Sequence, residues 1–312
     1  MSDQTPLIRE DVQGFLAMMN SLPAPERLDP AEQRAGYLGL KAMTEADPRP
    51  MAVIKDLTCP GPAGAIPVRF YDVRESREPS PIILFFHGGG FVIGDLDTHN
   101  SLCTELSVEL DLPVLAVNYR KAPEHPFPAA PDDCEAVARW LAASPAELGR
   151  TVTGLVTIGG SAGGNLATVT ARALIDQPAA APMLLQVLLY PATDESQDGS
   201  MERFAEGHLL TKVAMDWFYS LYLPKSGDPR AFPLHASAEG MCPTIVATAG
   251  LDPLQDQGRR IAAKLVDAGV DTVFLHMHGL THDFTTTRKV LPSAAAATAK
   301  IIAAMKLMLT KV

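Results

Sequence analysis

From residue 50 onward, short apolar runs alternate with segments of helical period. The runs at 53–57, 68–71, 82–86, 114–118, 155–158, 184–189, 244–248 and 272–277 each have the length of a strand, and several are apolar at every position. A strand covered by helices on both faces has no polar side to show, so the pattern predicts a mostly parallel sheet between helix layers. Eight strands are expected, in an α/β fold.

The first fifty residues read differently. Ile8, Val12, Phe15, Leu16 and Met19 recur at helical spacing. Further on, Asp29-Pro30-Ala31-Glu32 supplies an N-cap, a Pro at the first helical position and a carboxylate three residues after the cap. Two amphipathic helices are therefore predicted before the sheet. A second non-sheet stretch runs over residues 193–223 after the sixth strand, with 209–222 helical by period. Expected units are N-terminal cap helices at 1–48, an α/β body at 49–192 and 224–312, and a cap insertion at 193–223; two unrelated surface decorations are the plainer alternative.

Composition narrows the function classes. The 312 residues are 47% hydrophobic and carry a net charge of -10, enough for one large core and the wrong sign for nucleic acid or an anionic membrane as partner. Met1-Ser2-Asp3-Gln4 lacks a basic segment leading into an apolar run, so no secretory leader is expected. No stretch approaches the roughly 20 uninterrupted apolar residues that span a bilayer. Cys59, Cys103, Cys134 and Cys242 are scattered without a CxxC pair and read as reduced core thiols, neither metal ligands nor bridges. A cytoplasmic location is the resulting expectation.

Chemistry concentrates in three places. Leu155-Val156-Thr157-Ile158-Gly159-Gly160-Ser161-Ala162-Gly163 is a buried strand running into G-x-S-x-G and then a helix. A serine at so tight a turn needs neighbours without side chains, and the turn exposes its Oγ at the positive end of the following helix. Ser161 is the expected nucleophile, against a plain glycine-rich turn. The second place is His87-Gly88-Gly89-Gly90-Phe91 after the strand at 82–86. Three consecutive glycines are costly to order unless bare N–H groups must approach a ligand; Gly89 and Gly90, with Ala162, are the candidate oxyanion-hole donors. A phosphate loop is the rival, but G-x-G-x-x-G spacing and a P-loop Lys are missing here. His87 reads as a brace for this loop.

The third place holds base and acid. Among eight histidines, His282 lies just past the last predicted strand, with His278 the rival at that strand's edge. Asp252, directly after the strand at 244–248, is the expected carboxylate orienting His282, and Asp256 is its rival, explained equally by the dipole of the next helix. The chain order Ser161, Asp252, His282 suits an α/β-hydrolase arrangement.

On these motifs the sequence resembles the hormone-sensitive-lipase-like esterases, bacterial family IV of the α/β-hydrolase fold. The resemblance spans nearly the whole chain and rests also on Tyr119-Arg120-Lys121-Ala122-Pro123-Glu124-His125-Pro126-Phe127-Pro128-Ala129-Ala130 and on Asp252-Pro253-Leu254. It implies an eight-stranded sheet with one antiparallel strand, a helical cap, no cofactor, hydrolysis of small carboxylic esters, and frequent homodimers. The eighth strand offers an open edge for such pairing. The chain departs from the family pattern at Gly160 before the nucleophile, Lys121, Gln257 and Asp283 after the base. A carboxylate at 283 is expected to favour imidazolium at 282.

The resulting expectation is a serine carboxylesterase for short acyl esters, with no metal and no cofactor. A non-catalytic small-molecule receptor on the same fold is the alternative from another class; an amidase or lactonase would use the same residues.

Overall fold

The computed structural model describes residues 6–22, 29–197 and 199–310, so the N-terminal tetrapeptide used above lies outside the described residues. All eight predicted strands form, in one sheet of order β1-β2-β4-β3-β5-β6-β7-β8. They are β1 (Val53–Gly61), β2 (Gly64–Asp72), β3 (Ser80–Phe86), β4 (Val114–Val117), β5 (Val152–Gly160), β6 (Met183–Leu189), β7 (Thr244–Leu251) and β8 (Thr272–Thr281). β2 runs antiparallel to both β1 and β4, and every other pairing is parallel.

β1 and β2 are longer than their apolar runs. They form an edge hairpin whose outer half pairs Thr58 with Pro67 and Pro60 with Ala65, a mixed polar stretch that a search for uniformly apolar strands passes over. Within the sheet the pattern holds. Ile82, Leu84 and Phe86 of β3 face one layer and Ile83 and Phe85 the other, all essentially inaccessible.

Helices α4 (Ala129–Ala142), α5 (Ala162–Asp176) and α8 (Gln255–Asp267) cover the first face through Val137, Leu166 and Ile261. On the second face lie α3 (Asn100–Leu110), α9 (Pro292–Leu309) and α1 (Glu10–Asn20). α1 buries Val12, Phe15 and Leu16 there, whereas Ile8 precedes the helix and is exposed. Asp11 accepts from Ser293 N–H (2.9 Å), which ties α1 to the unpaired N–H groups opening α9. At 18 residues α9 is long and apolar enough to cross a membrane by length and composition, and its Ala294, Ile301, Ile302, Met305 and Met308 pack into the core.

In α2 (Pro30–Thr44), the Asp29 carboxylate caps the helix by accepting from Ala31 and Glu32 N–H. The insertion yields α6 (Ser200–Arg203) and α7 (Lys212–Tyr222), the latter starting later than the expected 209 because Thr211 caps it through Ala214 N–H. All four cysteines are free and buried.

At the sheet end remote from the strand C-termini, Asp72 is fully buried and receives Arg77 (2.7 Å), Arg150 (2.9 Å) and the Arg74 N–H (2.9 Å). Burial pushes this carboxyl up, and the hydrogen bonds from Arg77, Arg74 and Arg150 outweigh it, so its pKa is lowered. A group with a depressed folded pKa stabilises fully above its unfolded value, and that contribution is lost as pH falls. Asp72→Asn should cost about 3 kcal/mol at neutral pH by stranding two arginines. Urea titrations at neutral and acid pH check this: the deficit should shrink below about pH 4, and an undiminished deficit would contradict it.

Candidate active site

Ser161 stands between β5 and α5 with φ 57° and ψ -117°, a strained left-handed conformation for a residue with a side chain. The turn is too crowded for side chains on its neighbours. A Cβ at Gly159 would lie 2.3 Å from the Gly163 carbonyl carbon, and one at Gly163 2.0 Å from the Phe86 carbonyl oxygen. Ser161 N–H donates to Leu189 O of β6 (2.9 Å), so strands on either side grip the turn. At Gly160 a Cβ would meet the Tyr190 ring at 2.8 Å, which accounts for glycine before Ser161 in this chain.

The loop after β3 rises beside it. Gly89 (φ 112°) and Gly90 (φ 59°) adopt backbone conformations that favour glycine, and a Cβ on Gly90 would strike the Phe218 ring at 2.3 Å. Among the described residues neither N–H has an acceptor, and Ala162 N–H is the unpaired first donor of α5. The loop is braced from beneath. The His87 ring stacks on Tyr119 at 4.2 Å, and the Tyr119 hydroxyl donates to His87 O (2.8 Å). Burial holds the His87 imidazole well below the usual histidine range, so it stays neutral, as a brace requires.

Asp252 follows β7 and is fully buried; its Oδ2 lies 2.8 Å from His282 Nδ1, and its Oδ1 accepts from Leu254 N–H (2.8 Å). The rivals go elsewhere. Asp256 accepts from Ser200 N–H (2.9 Å) in the insertion, and His278 lies inside β8, which extends to Thr281 and not to 277, with its ring against His276.

Asp283 has partners that its own stretch of sequence does not announce. Its carboxylate is taken by Lys41 Nζ (2.5 Å) and the Tyr37 hydroxyl (2.8 Å), so an ammonium lies against it as well as the neighbouring imidazole. Burial pushes the Asp283 carboxyl up, but Lys41 foremost, with His99 and His282, draws it well below the carboxylate range.

Ser161 and His282 line one cavity of about 200 Å³ together with Gly89, Gly90 and Ala162. Its apolar walls come from both non-sheet segments: Phe15 and Leu40 from the N-terminal helices, Met215 and Phe218 from α7. Asn20 Nδ2 also donates to Gly207 O (3.1 Å), joining the two segments directly. A larger cavity of about 360 Å³ between α4, α5 and α8 contains none of the predicted site residues. Among the described residues no cluster of three or more His, Cys, Asp or Glu is arranged to hold a metal ion. Tyr37, Lys41 and Tyr190 were missed from sequence; only the place of Tyr190, at the carboxyl end of a strand, pointed toward the site.

A family model described as the alpha/beta hydrolase fold matches residues 83–286. The chain belongs to the hormone-sensitive-lipase-like family of α/β hydrolases. It is 40% identical over 285 residues to the carboxylic ester hydrolase LipN of Mycobacterium tuberculosis, covering 88% of this chain and 76% of that protein. Over 303 residues it is 35% identical to an ethyl acetate hydrolase of Pseudomonas putida, covering 94% and 93%. The ester-hydrolase EH1AB1 from the Lake Arreo metagenome, solved with a bipyridine phosphonate derivative, matches it with TM-score 0.91 at 34% identity over 97% of this chain and 100% of that one. With ester hydrolases among both its sequence relatives and its structural neighbours, the chain is an esterase of the α/β-hydrolase fold.

Gly163→Ala should cripple this esterase, because the added Cβ meets backbone and nothing flexible can yield. A loss of about 3 kcal/mol or more is expected, read as a lowered thermal midpoint; an unchanged midpoint would refute the crowding argument.

Proposed function

We propose that the esterase hydrolyses short-chain carboxylic esters through an acyl-enzyme on Ser161, with His282 as base and then acid and Asp252 as its orienting carboxylate. The observation that carries this reading is the 2.8 Å contact between His282 Nδ1 and Asp252 Oδ2, with the imidazole opening on the cavity that Ser161 lines.

A carboxylate held at Nδ1 keeps the proton there, which leaves Nε2 as the acceptor for the serine proton. Ser161 Oγ attacks the ester carbonyl carbon while His282 takes its proton. The carbonyl oxygen becomes an oxyanion received by the N–H groups of Gly89, Gly90 and Ala162, donors already unpaired before substrate arrives. Collapse expels the alkoxide, which takes the proton from His282. Water, deprotonated by the same imidazole, then attacks the acyl-enzyme, and the acid leaves with Ser161 restored.

The preference for short chains is supported by cavity size. About 200 Å³ is below the roughly 300–1,000 Å³ common for pockets that enclose drug-sized ligands. Phe15, Leu40, Met215 and Phe218 close its sides, and the likeness to an ethyl acetate hydrolase points the same way.

Ser161→Ala should lower ester turnover by about 10³-fold or more with the fold intact by circular dichroism, and a phosphonate should label Ser161 covalently in the wild type. Persisting turnover would refute the nucleophile. Turnover of acetyl, butyryl and longer acyl esters should peak at the short end; a maximum at about twelve carbons would overturn the size argument. kcat/KM should rise with pH through one ionisation, since only neutral imidazole accepts the serine proton; a flat profile from about pH 5 to 8 would exclude His282 as base.

A further inference from the structure

Asp283, immediately after His282, has φ 61° and ψ 24°, in the left-handed region where a side chain is disfavoured. Its carboxylate is nonetheless fully engaged. Oδ2 receives Lys41 Nζ (2.5 Å) and the Tyr37 hydroxyl (2.8 Å), and Oδ1 receives the Tyr190 hydroxyl (3.3 Å). Lys41 is only 4% exposed and also donates to Thr286 Oγ1 (2.5 Å). Tyr190 presents its ring edge to His282 at 4.8 Å between centroids.

These contacts arise from one face of α2. Arg34, Tyr37, Lys41 and Thr44 follow at three-, four- and three-residue steps, the spacing of a single helical stripe. Arg34 donates to Val92 O (2.8 Å) beside the oxyanion loop and to Ala122 O (2.9 Å), and Thr44 donates to Thr286 O (3.0 Å) beyond the histidine. Leu38 and Met43, by contrast, are exposed. The helix thus turns a polar stripe inward beside Leu40, which lines the cavity, while Leu38 and Met43 face out. Burying an ion pair is a poor route to stability, because desolvation offsets most of the attraction.

We infer that Lys41 and Asp283 are positioning residues, a charge-balanced clamp by which α2 holds the His282 loop and shields the imidazole from the carboxylate next to it. The inference rests on His282 being the catalytic base.

Among the described residues, few groups face His282 and Asp283. α2 brings Lys41 and Tyr37, with Glu45 just beyond it paired to Arg288 (2.8 Å). The segment before α3 brings His99, which burial pushes down to about 4, so it is neutral in the working range. The end of β6 brings Tyr190, and burial likewise holds both tyrosines well above their usual range. The loop after β7 brings Asp252, and the turn after β5 brings Ser161. Near the imidazole the charges are therefore Asp252, Asp283 and Lys41, and removing Lys41 leaves two carboxylates without a balancing cation.

The test is the acid limb of kcat/KM against pH for phenyl acetate hydrolysis by the full-length wild type, Lys41→Met, Asp283→Asn and the double variant. Lys41→Met should move the limb to higher pH by roughly one unit, and Asp283→Asn to lower pH by a similar amount, as an unbalanced anion or cation dictates. The double variant should return near the wild-type position. Limbs that stay in place, shift in the same direction or fail to return in the double variant would overturn the clamp. If Lys41→Met does not fold, Asp283→Asn decides alone: a downward shift supports the clamp and no shift overturns it. A wild type lacking any acid limb would instead overturn the assignment of His282, and the clamp with it.

Discussion

The site depends on a turn with no spare room. Between β5 and α5 the chain reverses so sharply that the Phe86 carbonyl of β3 occupies the place a side chain at 163 would take, while Leu189 O of β6 holds the Ser161 N–H. The strain at Ser161 persists because neighbouring strands on both sides over-determine it. A parallel sheet makes this possible, since the carboxyl ends of β3, β5, β6, β7 and β8 all arrive at one edge. Residues 87–90, Ser161, Tyr190, Asp252 and His282 are then local consequences of where five strands stop.

The Tyr119–Ala130 block shows how a distinctive stretch of sequence serves that edge without touching the chemistry. Tyr119 stacks under His87, Arg120 forms a bidentate pair with the buried Asp133 (2.7 Å at the shorter contact), and Ala122 N–H holds Phe91 O (2.9 Å). Phe127 N–H then reaches Tyr222 O (2.8 Å) at the end of α7. The block links the loop after β3 to the insertion. The positive-φ glycines of that loop, Gly89 and Gly90, are kept in place by neighbours that are themselves tied down.

The eight strands and the candidates Ser161, Asp252 and His282 were legible because their signals are local. A strand buried on both faces must be apolar throughout, and a residue just past such a strand has a known destination. What escaped was set by packing across long separations. Lys41 meets Asp283 across 242 positions, and nothing near either residue announces the other. The same limit holds at Asp283: adjacency in the chain places its carboxylate beside His282, whereas only the fold brings an ammonium against it. α2 was legible as a helix from its cap, yet the inward direction of its polar stripe contradicts amphipathic reasoning, which sends polar residues to water.

Two carboxylates thus flank one imidazole and differ only in company. Asp252 faces Nδ1 directly, with Leu254 N–H as its other donor and, among the described residues, no cation in contact, so its charge is directed at the ring. Asp283 points away into Lys41, Tyr37 and Tyr190. In the proposed mechanism the His282 imidazole accepts a proton and later returns it, and two uncompensated anions would serve it poorly, since each favours the protonated ring and slows its release. On that proposal one oriented carboxylate supplies the tautomer, and cancelling the second preserves the proton affinity that both transfers need. The segment that brings Lys41 also walls the cavity through Leu40, so the placement of α2 sets both the cavity wall and the charge against Asp283.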